Sequence, residues 1–215
     1  MSQGRHEHPH FNKHRAEALS DAVFPIAMTV LVLNLKVPTV LVRGQLWAAL
    51  QAEGALWYSV VLTFAIASVF WMLQHRVFDA LEAMTAQTMR LTILTLGFVT
   101  LLPFTTSLLG EAKGDPLAFE LYFTNQVAIA LSMALKLEVA RIQGDLSPGG
   151  TARRTRHRVW SITLIMLSAV LSAHYLPLRR MWTVPVALGI AARLIRKALA
   201  TRKGVKAADG ASSPA

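Results

Sequence analysis

Cysteine is absent from the 215 residues, which removes disulfides, thiolate metal sites and cysteine nucleophiles from consideration. Charge is scarce as well: 16% of the residues are Asp, Glu, Lys or Arg, against 53% hydrophobic. A water-soluble domain of this length needs more polar surface than that, so the solvent of this chain is lipid. Acid is the rarer sign, 12 Asp+Glu against 22 Lys+Arg. Excess basic charge is one mark of nucleic-acid binding. Here, however, the cations fall in short clusters between long apolar runs, as at cytoplasmic membrane flanks, and no nucleic-acid partner is expected. The polar N-terminus, with His6, His8, His10 and His14, lacks an apolar run followed by a small-residue cleavage site, so no removable signal peptide is expected.

Two further absences narrow the function. The two halves of the chain share no motif, which weighs against an inverted-repeat transporter. No Ser/His, paired-Asp or H-E-x-x-H constellation occurs. The run His6-Glu7-His8 lies in a polar tail, and Ser161, Ser168 and Ser172 have only His157 and His174 near them on the chain. An intramembrane enzyme, a catalytic residue and a resident metal or cofactor are therefore not expected.

What is present is a series of apolar runs. A spanning helix needs roughly 20 mostly apolar residues, and six segments meet or approach that, at about 18–38, 54–74, 91–110, 117–136, 158–178 and 182–199. The fourth is interrupted by Asn125, Gln126 and Ser132, and the sixth ends in Arg193, Arg196 and Lys197, whose long side chains reach an interface by snorkelling. With the N-terminus inside, the expected inner segments hold 17 Lys and Arg, counting Lys136 in the fourth loop, and the outer ones five: Lys36, Arg43, Lys113, Arg179 and Arg180. That bias predicts both termini in the cytoplasm. The expected organisation is an all-α, polytopic bacterial inner-membrane protein with a cytoplasmic tail over 1–17, a six-helix domain over 18–199 and a disordered tail over 200–215. The fourth loop, about 137–157, carries the run from Arg153 to Arg158, placed to meet anionic lipid headgroups.

The first segment is unlike an ordinary anchor. Arg15, Ser20 and Asp21 stand at its inner edge, where a carboxylate costs about 2.5–3.5 kcal/mol unless it has a partner; helix-start chemistry at the interface accounts for the same residues equally well. Pro25 leaves the Asp21 carbonyl without its helical donor. Ile26, Thr29, Val30 and Leu33 then share one face, which by periodicity alone is also an ordinary packing stripe.

This stretch resembles the opening helix of the TMEM175 potassium channel family of prokaryotes and lysosomes, whose signature is R-x-x-x-F-S-D, then F-A-I-x-x-T-L-L-x-L and an exit in V-P. The residues at the corresponding positions are Arg15, Leu19, Ser20, Asp21, Phe24, Pro25, Ile26, Thr29, Val30, Leu31, Leu33, Val37 and Pro38. Downstream, Trp71, His75 and Phe78 are similar to the family's W-x-x-[HN]-H-x-x-F, and Leu102-Pro103-Phe104 to its L-P-F-x-T. Together the matches run from residue 14 to about 140.

The resemblance implies a homotetramer whose first helices line a central pore for K⁺ and other monovalent cations, with no ligand beyond the permeant ion. It implies Ile26 as the narrowest apolar ring, Thr29 as a hydroxyl layer, Leu33 as the next ring and Val30 beside them. Arg15, Ser20, Asp21, Trp71 and His75 are the implied hydrogen-bonded support, although polar Gln74 and Arg76 also fit a solvated His75. Apolar rings of this kind gate by dewetting, and one hydroxyl layer implies only weak selectivity for K⁺ over Na⁺. The chain departs from the pattern at Leu19, Pro25 and Asn34, the last near an outer mouth where Lys36 repels cations unless it points away. A proton channel or proton-coupled transporter using Asp21, His75, Glu120 and His174 is the alternative.

Overall fold

Helix formation follows the apolar runs closely but does not stop where they stop. The computed structural model describes residues 12–36, 44–112 and 114–175, and among these no strand occurs beyond a single bridge between Leu81 and Leu146. In chain order the helices are α1 (Lys13–Val30, extended by a 3₁₀ turn Leu31–Asn34), α2 (Leu46–Ala52), α3 (Gly54–Asp79), α4 (Ala86–Thr100), α5 (Leu102–Glu111), α6 (Pro116–Gln143) and α7 (Gly150–Tyr175). The expected sixth span at 182–199, the tail over 200–215, most of the tail over 1–17 and the exit at Val37-Pro38 lie outside the described residues.

Among the described residues, three stretches are long and apolar enough to cross a membrane: Lys13–Asn34, Gly54–Asp79 and Ala86–Glu111. The third is two helices end to end. Pro103 has no N–H to continue the α4 ladder, and the chain steps at Leu101 before α5 begins, with Thr105 N–H closing onto the Leu101 carbonyl at 3.0 Å. Helices α6 and α7 are as long, 28 and 26 residues, but carry polar side chains. Those of α6 turn inward. Asn125 Nδ2 donates to the Phe98 carbonyl at 3.2 Å, Ser132 and Thr95 hydroxyls meet at 2.8 Å, and Gln126 is buried.

The fourth loop is shorter than its sequence suggests. Hydropathy marks where lipid ends, whereas α6 continues past that point to Gln143, stopped by Gly144 at φ 79°, and α7 starts at Gly150. The extension docks on α7 through Glu138, which accepts from Arg141 Nε at 2.7 Å and from Trp160 Nε1 at 3.1 Å. The Arg141 contact holds the Glu138 carboxyl below the usual carboxylate range. The stabilisation is therefore present at neutral pH and is lost as pH falls through that lowered pKa.

In lipid, apolar burial does not by itself drive helices together; close packing and interhelical hydrogen bonds do. Helix α1 shows the first. Ala16, Ser20, Phe24, Ala27 and Leu31 are buried, spaced by three and four so that they form one stripe, and Phe24 and Ala27 pack in a cluster with Phe70, Leu73, Val99 and Met133. The second appears between α3, α5 and α6, where Thr106 Oγ1 donates to Thr63 Oγ1 at 2.9 Å and Thr63 lies 3.0 Å from the Tyr122 hydroxyl. Helices α3 and α5 come close at Gly110, where a Cβ would stand 2.6 Å from Leu56 Cδ1 and 2.9 Å from Leu56 Cα. Gly110→Ala is accordingly expected to cost about 1–3 kcal/mol and to lower the thermal transition of the purified protein. Gly97→Ala, which meets nothing within 4 Å, should leave that transition unchanged or raise it.

Candidate functional site

One face of α1 packs against the bundle and the opposite face meets nothing among the described residues. Ile26 is 61% and Leu33 76% exposed, Val32 and Thr29 are exposed too, and Val30 is half-buried. The Thr29 hydroxyl donates to the Ile26 carbonyl at 2.9 Å. With its proton committed to the backbone, that oxygen turns lone pairs outward as an acceptor. The face thus offers apolar side chains and a single layer of oxygen.

Both ends of α1 are tied to the rest of the bundle by polar contacts. At the first end, Asp21 Oδ1 lies 3.2 Å from Trp71 Nε1 and 3.3 Å from His75 Nε2, and the Trp71 and His75 rings meet edge-on with centroids 4.8 Å apart. Four residues on an α-helix bring the two rings to one side of α3. Deeper in, Gln74 Nε2 donates to Ser20 Oγ at 3.2 Å, and Lys136 Nζ donates to Gln74 Oε1 at 3.3 Å and to Thr92 Oγ1 at 3.2 Å. Arg15 is exposed and takes no part in this cluster.

At the other end, Asn34 Nδ2 donates to the Pro103 carbonyl at 2.9 Å and Lys36 Nζ pairs with Glu111 Oε1 at 2.9 Å. The Lys36 ammonium therefore points to α5 and is neutralised there; Glu111 on α5 is the residue that sequence reasoning did not pair with it. The four titratable groups considered for a proton route form two pairs, Asp21 with His75 and Glu120 with His174, the latter at 3.3 Å. The α7 hydroxyls of Ser161, Ser168 and Ser172 each donate to a carbonyl of their own helix.

Sequence reasoning also missed Lys136 as a site residue, counting it among the loop cations. It is fully buried, which removes one charge from the inner tally and leaves 16 against five. A signal was available: Lys136 stands alone in the run Ala134-Leu135-Lys136-Leu137, four residues from Ser132 and four from Ala140, all three of which face the interior.

Residues 15–103 match the family model described as "Endosomal/lysosomal potassium channel TMEM175". A protein of Streptomyces collinus named as a potassium channel is 34% identical over 122 residues, covering 55% of this chain and 59% of its own length; the chain thus spans somewhat over half of that relative. A second, from Chamaesiphon minutus and also named as a potassium channel, is 35% identical over 158 residues, 69% of this chain and 74% of the relative. The crystal structure of a lysosomal potassium-selective channel TMEM175 homologue from Chamaesiphon minutus superposes with a TM-score of 0.70 at 25% identity, covering 85% of this chain and 96% of that one. These relatives carry the name of channels and not of enzymes, and the family model spans α3, α4 and nearly all of α1, its bare face included. The chain is a multi-pass membrane protein and belongs to the TMEM175 potassium channel family.

Proposed function

We propose that this protein is a potassium-permeable cation channel, passive and weakly selective for K⁺ over Na⁺, formed by four copies whose α1 helices surround a central pore. The observation that carries the reading is the bare face of α1. A helix that only anchored or packed has no need of a lone threonine oxygen between two apolar positions, held by polar contacts at both ends and uncovered among the described residues. The relatives' names agree with it.

In this reading Ile26 and Leu33 are the apolar rings, Val30 lies behind them, and Thr29 supplies the oxygens. Four isoleucines around an axis exclude water, so conduction requires that the ring widen enough for a partly hydrated ion. Four threonine oxygens replace only a fraction of a hydration shell, which keeps discrimination small. Arg15, Ser20, Asp21, Trp71 and His75 hold the inner end, with six spans, both termini in the cytoplasm and the bacterial inner membrane as the setting. The exposed cations Arg153, Arg154 and Arg158 at the start of α7 face anionic headgroups. K⁺ and related monovalent cations are the only ligands the reading needs.

Rubidium uptake by liposomes holding the purified protein tests this. Ile26→Asn is expected to hydrate the ring and raise resting uptake about tenfold, and Thr29→Ala to reduce the preference for K⁺ over Na⁺. Unchanged flux and selectivity in both would remove α1 from the pore, and dissipation of a pH gradient without any Rb⁺ flux would put proton transport in place of this reading.

The outer pair makes a second prediction. With Glu111 beside it, Lys36 adds little positive potential at the mouth; Glu111→Gln unmasks four ammoniums. Single-channel conductance is expected to fall about two- to threefold at low salt and to recover as salt rises and the Debye length shrinks below about 10 Å. Lys36→Gln, measured in the same bilayers, should shift conductance the other way, and a salt-independent response in both would refute the electrostatic account.

A further inference from the structure

Lys136 is a costly side chain to bury. It is wholly buried in α6, and no carboxylate among the described residues answers it: its ammonium meets Gln74 Oε1 at 3.3 Å and Thr92 Oγ1 at 3.2 Å, with the Phe78 ring centroid 4.8 Å away. A cation inside a membrane bundle is expensive even when hydrogen-bonded, and an apolar side chain of similar length fills the same space more cheaply. Packing therefore does not account for it.

The hydrogen-bond chain does. An ammonium can only donate, so Gln74 has to turn its carbonyl oxygen toward Lys136. That choice leaves the Gln74 amide nitrogen facing α1, where it donates to Ser20 Oγ at 3.2 Å. With the amide reversed, its N–H₂ would face the ammonium, donor to donor. Ser20 is on the buried stripe of α1, next to Asp21 and six residues before Ile26. The charge on α6 thus sets the orientation of an amide on α3, which in turn grips the helix that carries the bare face. The second partner of the ammonium, Thr92 on α4, turns its own hydroxyl proton back to the Thr88 carbonyl of the same helix at 2.9 Å.

We propose that Lys136 is a positioning residue of the permeation pathway: through the Gln74 amide it fixes Ser20, and with it the placement of Ile26 and Thr29. The proposal rests on the channel reading above. Without this grip the apolar rings of α1 are free to close on one another, and conduction falls.

Rb⁺ uptake by liposomes and thermal stability in detergent, measured on the full chain, test it. Lys136→Met and Gln74→Leu are each expected to lower uptake about tenfold, a size typical of coupling through such a network. The double variant should conduct no less than either single one. Thr92→Val should shift the thermal transition and leave uptake within about twofold of the unaltered protein. Wild-type uptake in Lys136→Met overturns the proposal, as does a fall in uptake in Thr92→Val that matches its loss of stability, since Lys136 would then act only on the fold. If Lys136→Met does not fold, Gln74→Leu and Ser20→Ala carry the same test, and normal uptake in both overturns it. An unaltered protein that passes no Rb⁺ defeats the channel reading and this proposal together, whereas normal conduction with an insensitive Lys136 defeats the proposal alone.

Discussion

Polar groups carried into hydrocarbon need partners inside the protein, and in this chain two sets of such contacts meet at the ends of α1. Asp21 is met by Trp71 and His75, Ser20 by Gln74 with Lys136 behind it, Asn34 by the Pro103 carbonyl and Lys36 by Glu111. Each bond by itself is worth on the order of 0.6 kcal/mol in a membrane protein. Their placement matters more than their sum. A helix gripped at both ends and packed along one stripe has a defined rotation, and that rotation is what leaves Ile26, Thr29 and Leu33 uncovered.

The break at Leu101 belongs to the same arrangement. Because Pro103 stops α4 from running on, α5 starts afresh, and its second residue offers the carbonyl that Asn34 uses. Eight residues later Glu111 reaches Lys36. A continuous helix over the same span would have no reason to present these two groups together. On its other side α5 is drawn against α3 at Gly110, where the closest atoms belong to Leu56 and Ser59. The short helix α5 therefore works as a bracket between the scaffold and the far end of α1.

How much of this was legible depended on the physical signal. The apolar runs gave the helical class and the positions of α1 and α3, because hydropathy over some twenty residues leaves few alternatives. The same signal misjudged where helices end: α6 continues to Gln143 beyond its lipid-like portion, since helix formation needs only satisfied backbone and a tolerable propensity. It was also blind to Lys136, because a charge near the end of an apolar run looks like a flank, and only its tertiary partners reveal it as interior. The Ser20 and Asp21 contacts were suggested by the need to satisfy a carboxylate at the membrane edge, whereas Glu111 sat in a loop-like stretch with nothing local to link it to Lys36. Pairings between distant segments are fixed by packing, which no local pattern encodes.

The central claim is that the bare face of α1 meets water and ions, and the lack of any native cysteine makes it directly measurable. In a Thr29→Cys protein the introduced thiol is the only one present. A membrane-impermeant, cationic thiol reagent should cut its Rb⁺ flux sharply, while leaving Leu164→Cys, on the exposed side of α7, as active as before. Flux through Thr29→Cys that the reagent does not change would mean that this face of α1 turns to lipid or to another helix, and would contradict the account.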